Sequence, residues 1–249
     1  MNEHKFDKKC EIYSKSRPGY PKELFEYLIK ENIISSTTTA ADIGSGTGIF
    51  TEKLAEHINT VYAIEPNDGM RKLAEEKYRI FKNIISVDGT AESTKLNENS
   101  IDFITVAQAF HWFDRQKFRN ECRRILRESG KILLVWNDRD EKSELIGANY
   151  EINRRFCPNF NGSSNGIDFS REAFTDFFSN NFDIVEFRND MIYDENTFIS
   201  RSLSSSYAPN KGDCNYDSYV SELRRLFREN CNNDTVTYRY ITRCYIGKV

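Results

Sequence analysis

Short apolar runs alternate with amphipathic stretches of helical period through the first half of the chain, the pattern of a parallel sheet covered by helices on both faces. Pro21 opens a helical segment, PKELFEYLIKEN, with Leu24, Phe25, Leu28 and Ile29 on one face. A first strand ends at Asp42. Beyond the glycines that follow it, Phe50, Leu54 and Ile58 recur at helical spacing, so this loop joins a strand to a helix. Next come a strand VYAI (61–64), a helix from about Asp68 to Tyr78, and strands IISV (84–87) and IDFITVA (101–107). Asp114 caps a helix in which Phe118, Cys122, Ile125 and Leu126 share a face, and Gly130 stops it before the strand KILLVW. The pattern predicts five strand and helix repeats without a break.

The second half is less regular. Long connections, 138–181 and 189–234, carry helices expected around 143–156, 170–179 and 217–229, and strands FDIVEF and TVTYRYITRCYIG are expected to close the sheet. Insertions of this kind sit above the carboxyl ends of the strands and shape a substrate pocket, with the turn-rich PNFNGSSNG (158–166) as part of a lid. Neither an internal repeat nor a domain boundary is evident. The 249 residues therefore read as one domain, 1–35 forming an N-terminal helical cap.

Composition narrows the setting. With 35 basic and 38 acidic side chains the net charge is -3, so no overall positive field is available for a phosphate backbone, and nucleic acid is a poor expected partner. The start, MNEHKFDKKCEIYSK, lacks the apolar core of a signal peptide, and no apolar run reaches the length of a membrane span. A cytoplasmic protein without a membrane partner is expected. None of the six cysteines forms a C-x-x-C pair and the three histidines are scattered, so no metal site is expected and the thiols read as reduced.

The chemistry begins in AADIGSGTGIF (40–50), where glycines stand at 44, 46 and 48. A dinucleotide fingerprint, G-x-G-x-x-G, would need glycine at Ile49, and a P-loop would need a lysine that does not follow. What remains, D-x-G-x-G-x-G, lets a ligand lie directly on backbone, and free N–H groups suit an anion or a polar amino-acid tail. Glu65 follows the second strand, where a carboxylate can accept both hydroxyl protons of a ribose. Pro66 stops that strand and Met70 offers an apolar contact for a base. The third strand ends in VDGTAES, which places Asp88, Thr90 and Ala91 where an adenine edge would lie; VAQAFHWFD supplies Gln108 and an aromatic wall after the fourth.

Together these residues resemble the class I S-adenosylmethionine-dependent methyltransferases, from about residue 10 to the C-terminus. ADIGSGTG, with Asp42, Gly44, Ser45, Gly46 and Gly48, looks like motif I. Glu65 looks like the ribose acid, followed by Pro66, Asn67 and Met70, and DGTAE, comprising Asp88, Gly89, Thr90, Ala91 and Glu92, looks like the adenine loop. Thr90 departs from the aspartate of many relatives, which leaves Asp88 to read the adenine amine. YSKSRPGYP, AQAFHWFD and SRSLSSSYAP (200–209) resemble the small-molecule branch that includes trans-aconitate-type methyltransferases.

The resemblance implies a Rossmann-like, doubly wound, seven-stranded and mostly parallel sheet with an antiparallel last strand and helical insertions after strands 5 and 6. It also implies S-adenosyl-L-methionine as cofactor, no metal, and a monomer or homodimer that methylates a small molecule, a carboxylic acid or hydroxyl compound. Arg17 is the candidate to pair with the methionyl carboxylate, Tyr13 and Tyr20 would close the pocket, and Ala107 and Gln108 would complete it.

His111 is the candidate base for a hydroxyl or amine acceptor, set against the reading that a histidine between Phe110 and Trp112 is simply packed. Phe110 and Trp112 are candidate walls for a sulfonium, and Trp136, Asn137 and Tyr207 candidate acceptor contacts, although aromatic residues at strand ends are commonly core. Two other functions share the same motifs: methylation of tRNA or another nucleic acid, and a module that binds the cofactor without turnover. The basic run RQKFRNECRRILRE (115–128) interleaves with acids on a solvated face, and AQAF stands where a base-modifying enzyme would carry an N-P-P-Y-like tetrapeptide.

Overall fold

The computed structural model describes residues 18–162 and 166–249; Tyr13 and Arg17 lie outside them. In chain order the elements are α1 (Lys22–Lys30), β1 (Thr39–Ile43), α2 (Ile49–Ala55), β2 (Thr60–Ile64), α3 (Asp68–Tyr78), β3 (Ile84–Val87) and β4 (Ile101–Ala107). A 3-10 turn (Phe110–Trp112), α4 (Arg115–Ile125), β5 (Leu126–Arg139), α5 (Glu144–Phe156), α6 (Glu172–Phe178) and β6 (Phe182–Arg188) follow. The chain closes with β7 (Met191–Tyr193), α7 (Glu195–Leu203), α8 (Tyr216–Asn230), β8 (Val236–Tyr238) and β9 (Tyr240–Gly247).

Seven strands form one sheet in the order β3-β2-β1-β4-β5-β9-β6, mostly parallel with an antiparallel last strand, as expected. Parallel pairing sets Asp42 beside Ala63 and Thr105, so β1 lies inside the sheet with its carboxyl end flanked by those of β2 and β4. The order reverses between β1 and β4, the switch point at which open α/β sheets leave a crevice.

Among the described residues the chain divides into two compact units. One holds Gly19–Asn137, Asp168–Phe187 and Thr242–Val249; the other holds Pro18, Asp138–Ile167 and Arg188–Ile241. The first, the sheet unit, buries Leu24, Phe25, Leu28, Phe50, Leu54, Val61, Phe103 and Leu133 in one apolar cluster. The second, the insertion unit, packs Ile146, Phe198, Tyr219, Leu223 and Tyr238 into a core of its own. The apolar face of α8, formed by Tyr219, Val220, Leu223, Leu226 and Phe227, supplies much of that core.

Local signals place several boundaries. The Asn67 side chain accepts from the Met70 N–H at 2.8 Å and starts α3; Asp114 and Asp194 cap α4 and α7 in the same way.

Four expectations are corrected. Residues 88–100, between β3 and β4, hold no helix, so the repeats are interrupted there. The α4 helix stops at Ile125; Leu126 is extended and pairs with Ile101, and the register shift before Phe103 and Lys131 absorbs the residues up to Gly130. TVTYRYITRCYIG is two strands, since Val236–Tyr238 pairs antiparallel with Met191–Tyr193 in a separate ribbon. Ile29 is 43% exposed rather than on the buried face of α1. Helix α7 and strand β7 were not anticipated by periodicity.

Candidate functional site

The glycine loop leaves β1 at Ile43 and folds back on the end of β2: the N–H groups of Gly44 and Ser45 both donate to the Ile64 carbonyl, at 2.9 and 3.1 Å. Gly48 closes the turn by donating to the Ser45 carbonyl at 3.0 Å. Gly44, Gly46 and Gly48 all have positive φ, at 71°, 57° and 86°. Their surroundings differ. A Cβ on Gly44 would stand 2.7 Å from the Ala109 Cβ, and one on Gly48 2.7 Å from the Tyr78 ring, so these two are glycine because neighbouring elements press on them. A Cβ on Gly46 would meet nothing nearer than the Met70 sulfur at 4.0 Å. Only at Gly46 does the loop present bare backbone to open space.

Asp42 lies beneath the loop, fully buried, with Oδ2 accepting from Thr51 Oγ1 at 2.6 Å and Oδ1 from Thr105 Oγ1 at 2.7 Å. Desolvation carries its carboxyl up to about 6, the two hydroxyls hold it down in part, and Glu65 adds to the rise. It fastens α2 and β4 to the end of β1.

Glu65 is 7% exposed and accepts two backbone N–H groups, from Gly46 on Oε2 at 2.9 Å and from Asn67 on Oε1 at 2.8 Å. Burial raises its pKa above the usual range, while these N–H groups and Arg71 pull the other way. A carboxylate has about four lone-pair positions, so two remain for hydroxyl donors. Arg71 braces the same corner, donating to the Glu65 carbonyl at 2.9 Å and pairing with Asp68 at 2.6 Å and Asp88 at 3.5 Å. It was missed in the sequence; its acids at i−3 and i+4, Asp68 and Glu75, were the available signal.

Asp88 is exposed after β3. Gly89 is buried, and a Cβ there would stand 2.9 Å from the Thr94 carbonyl, which makes the turn tight. Thr90 and Ser93 exchange backbone hydrogen bonds over Ala91, which is buried, and Glu92 accepts the Asp114 N–H at 3.0 Å. A second unanticipated network holds this loop from behind: Glu121 Oε1 accepts from Thr94 N and Oγ1 at 2.9 and 2.5 Å and from Arg124 at 2.8 Å.

After β4, Ala107 is half-buried and Gln108 adopts φ 61°, a left-handed conformation that costs a side-chain-bearing residue about 1–2 kcal/mol. Its N–H donates to the Val135 carbonyl at 2.9 Å, and its Nε2 to the Asn137 carbonyl at 3.4 Å. The kink turns the chain into the Phe110–Trp112 segment. Tyr20 stands edge-on to Phe50 with centroids 4.8 Å apart.

The sheet unit thus brings together the glycine loop, the Glu65–Met70 segment, residues 88–92 and Gln108. Other candidates fall elsewhere. Phe110 and Trp136, 1% and 0% exposed, are core rather than ligand wall: Phe110 packs on Phe177 at 4.8 Å and Trp136 on Phe174 at 5.5 Å. Trp112 is exposed, and the half-buried His111 ring lies 4.8 Å from it. The Asn137 side chain is engaged within the sheet unit, donating to the Gly19 carbonyl at 3.0 Å and accepting from Thr242 at 2.6 Å. Tyr207 belongs to the insertion unit, where it accepts from Arg139 at 3.1 Å.

Among the described residues no three His, Cys, Asp or Glu side chains converge to hold a metal, and no helix is long and apolar enough to cross a membrane. The described cysteines are free thiols.

Residues 41–134, which contain all four of these segments, match the family described as "Methyltransferase domain". An uncharacterized methyltransferase of Mycobacterium tuberculosis is 35% identical over 130 residues, 52% of this chain and 51% of that protein. The chain thus spans about half the length of the relatives it matches. A protein described as a type II methyltransferase from Anaeromyxobacter dehalogenans has the same fold, with a TM-score of 0.66 at 19% identity over 93% of this chain and 97% of that one. An S-adenosylmethionine-dependent methyltransferase from Aquifex aeolicus superposes with a TM-score of 0.53 at 15% identity, covering 95% and 97% of the two chains.

Proposed function

We propose that this chain is a class I S-adenosylmethionine-dependent methyltransferase that transfers the methyl group to a small-molecule acceptor. The observation that carries the reading is the joint between Gly46 and Glu65: of the three loop glycines, the one facing open space donates its N–H to the acid that follows β2.

The residues present fit the cofactor. Open backbone at Gly46 accommodates a methionyl chain against Ser45, and the free lone pairs of Glu65 suit the two ribose hydroxyls. Pro66, Asn67 and Met70 border the same corner, while Asp88, Gly89, Thr90, Ala91 and Glu92 form the loop assigned to adenine. When bound, the cofactor supplies an electrophilic methyl on a sulfonium. In-line displacement asks the protein mainly for alignment, worth roughly 7–11 kcal/mol when geometry is well set. Gly44 and Gly48 hold the loop, Gln108 redirects the chain after β4, and His111 serves as base where the acceptor is a hydroxyl or amine.

The basic run 115–128 supports a small acceptor over a nucleic acid. Arg115 donates to the Ala173 carbonyl at 3.1 Å, Arg119 to Ser179, and Arg124 and Arg127 pair with Glu121 and Asp102. These cations are engaged within the sheet unit. Incubation with methyl-labelled cofactor and pooled small acids, phenols and amines tests the proposal: label is expected in one acceptor class. Label appearing only in added tRNA or DNA, or in no acceptor, would contradict it.

A further inference from the structure

The insertion unit buries two arginines that no carboxylate among the described residues neutralises. Arg139, at the end of β5, is 9% exposed, and Arg201, in α7, is 8% exposed. Among the described residues neither forms an ion pair. Arg139 Nη2 donates to Tyr207 Oη at 3.1 Å and Arg201 Nε to Tyr240 Oη at 2.6 Å. Arg139 also lies 5.7 Å from the Tyr150 ring centroid, and Arg201 5.2 Å from that of Tyr238. Their electrostatic neighbours are tyrosines and each other. Aromatic faces and neutral phenols soften the burial of a guanidinium without cancelling its charge, and two cations side by side repel.

Two donors in this cluster are also orphaned. Arg139 Nη1 is buried with no hydrogen-bond acceptor, as is Asn149 Nδ2, whose own Oδ1 accepts from Tyr238 Oη at 3.2 Å. Asn149 is 1% exposed. Buried N–H groups are rarely left without an acceptor, and beside two guanidiniums an anionic acceptor suits these donors best. Burial alone would raise the Tyr207 phenol, yet the fields of Arg139 and Arg201 bring it below its usual range, evidence that this site favours negative charge. Tyr207 is half-buried where the others are buried, and forms the outer side of the cluster.

We infer that Arg139, Arg201 and Asn149, with the phenols of Tyr207 and Tyr240, form a binding site for a compact oxyanion carried by the acceptor. The word acceptor rests on the methyltransferase reading; the oxyanion site does not. Two guanidiniums and a carboxamide offer forked donors to a carboxylate or a phosphate alike.

The test uses the full chain and measures thermal unfolding and calorimetric binding with sodium succinate and sodium phosphate, against sodium chloride of matched ionic strength, with and without S-adenosylhomocysteine. A saturable rise in Tm from one oxyanion beyond the chloride control is expected. Arg139→Met and Arg201→Met should weaken that binding at least tenfold while leaving the oxyanion-free protein as stable as before or more so. Arg225→Met, on the surface of α8, should change nothing. Should a methionine variant fail to fold, Arg139→Lys keeps the charge, loses the fork, and is expected to show the same loss. A preference for succinate identifies a carboxylate-bearing acceptor and one for phosphate a phosphorylated acceptor. No response beyond chloride, or equal responses in all variants, would overturn the site. Oxyanion binding without S-adenosylhomocysteine binding would instead overturn the methyltransferase reading alone.

Discussion

The Gly46 N–H donates to Glu65 Oε2 at 2.9 Å, across 19 positions of sequence, and so locks the floor of the glycine loop to the acid of the neighbouring strand. With Asn67 N–H on the other oxygen, the carboxylate is held by two backbone donors before any ligand arrives. Preorganisation of this kind removes ordering cost from binding.

Glu65→Gln follows from that geometry. An amide can accept from only one of the two N–H groups and turns its own donor toward the other. Hydrogen bonds to a charged group are worth about 1.5–3 kcal/mol, so S-adenosylhomocysteine is expected to bind roughly tenfold to a hundredfold more weakly. Calorimetry on the folded variant reads this directly; unchanged affinity would remove Glu65 from the site.

The loop's glycines should separate by stability. Gly46→Ala has room and meets only its positive φ, about 1–2 kcal/mol. Gly48→Ala adds a collision with the Tyr78 ring, for about 2–5 kcal/mol in all. Denaturant unfolding of the two variants should keep that order.

Asp42 should impose a pH dependence. Its carboxyl sits at about 6 in the folded chain against an ordinary 3.8, so between those values the folded state holds the proton that the unfolded state has released. Stability from this group is full below pH 4 and falls as pH rises to 6, by on the order of 3 kcal/mol. Glu121 acts in the opposite sense: despite desolvation, Arg124 and Thr94 hold it below its ordinary value, so its contribution is present above that value and fades as pH falls through the lower one. The stability difference between Asp42→Asn and the parent should therefore grow across pH 4–6. A flat difference would show that Asp42 is ionised at no cost.

Phe110 and Trp112 should diverge under substitution. Phe110→Ala empties a buried aromatic site and is expected to cost about 3–5 kcal/mol, whereas Trp112→Ala, at an exposed position, should stay within about 0.5 kcal/mol. Comparable losses for both would contradict the assignment of Phe110 to the core.

This pair also marks what the sequence could tell. The turn of the glycine loop between β1 and α2 and the bounds of β3 and β4 were legible because they rest on local spacing, and α3 was legible from its helical period. Whether Phe110 faced a ligand or Phe177 was not, since the partner lies 67 positions away and aromatic residues serve both purposes. The split at Arg239 was hidden for a related reason: alternation in TVTYRYITRCYIG marks strand, but not that its first part pairs with Met191–Tyr193. Asp42 read as a cofactor ligand because its two threonine partners, Thr51 and Thr105, have no sequence signature. The arginine cluster was equally invisible, for Arg139 and Arg201 are 62 positions apart and become unusual only once both are seen buried with no acid among the described residues paired to them.

The most direct measurement is calorimetric titration of S-adenosylhomocysteine into the parent chain and Gly46→Arg, with circular dichroism confirming the fold of both. One saturable site is expected in the parent and none in the variant, because the arginine side chain would occupy the open space above the Gly46 backbone. No binding to the parent, or equal binding to the two, would contradict the methyltransferase site placed on this loop.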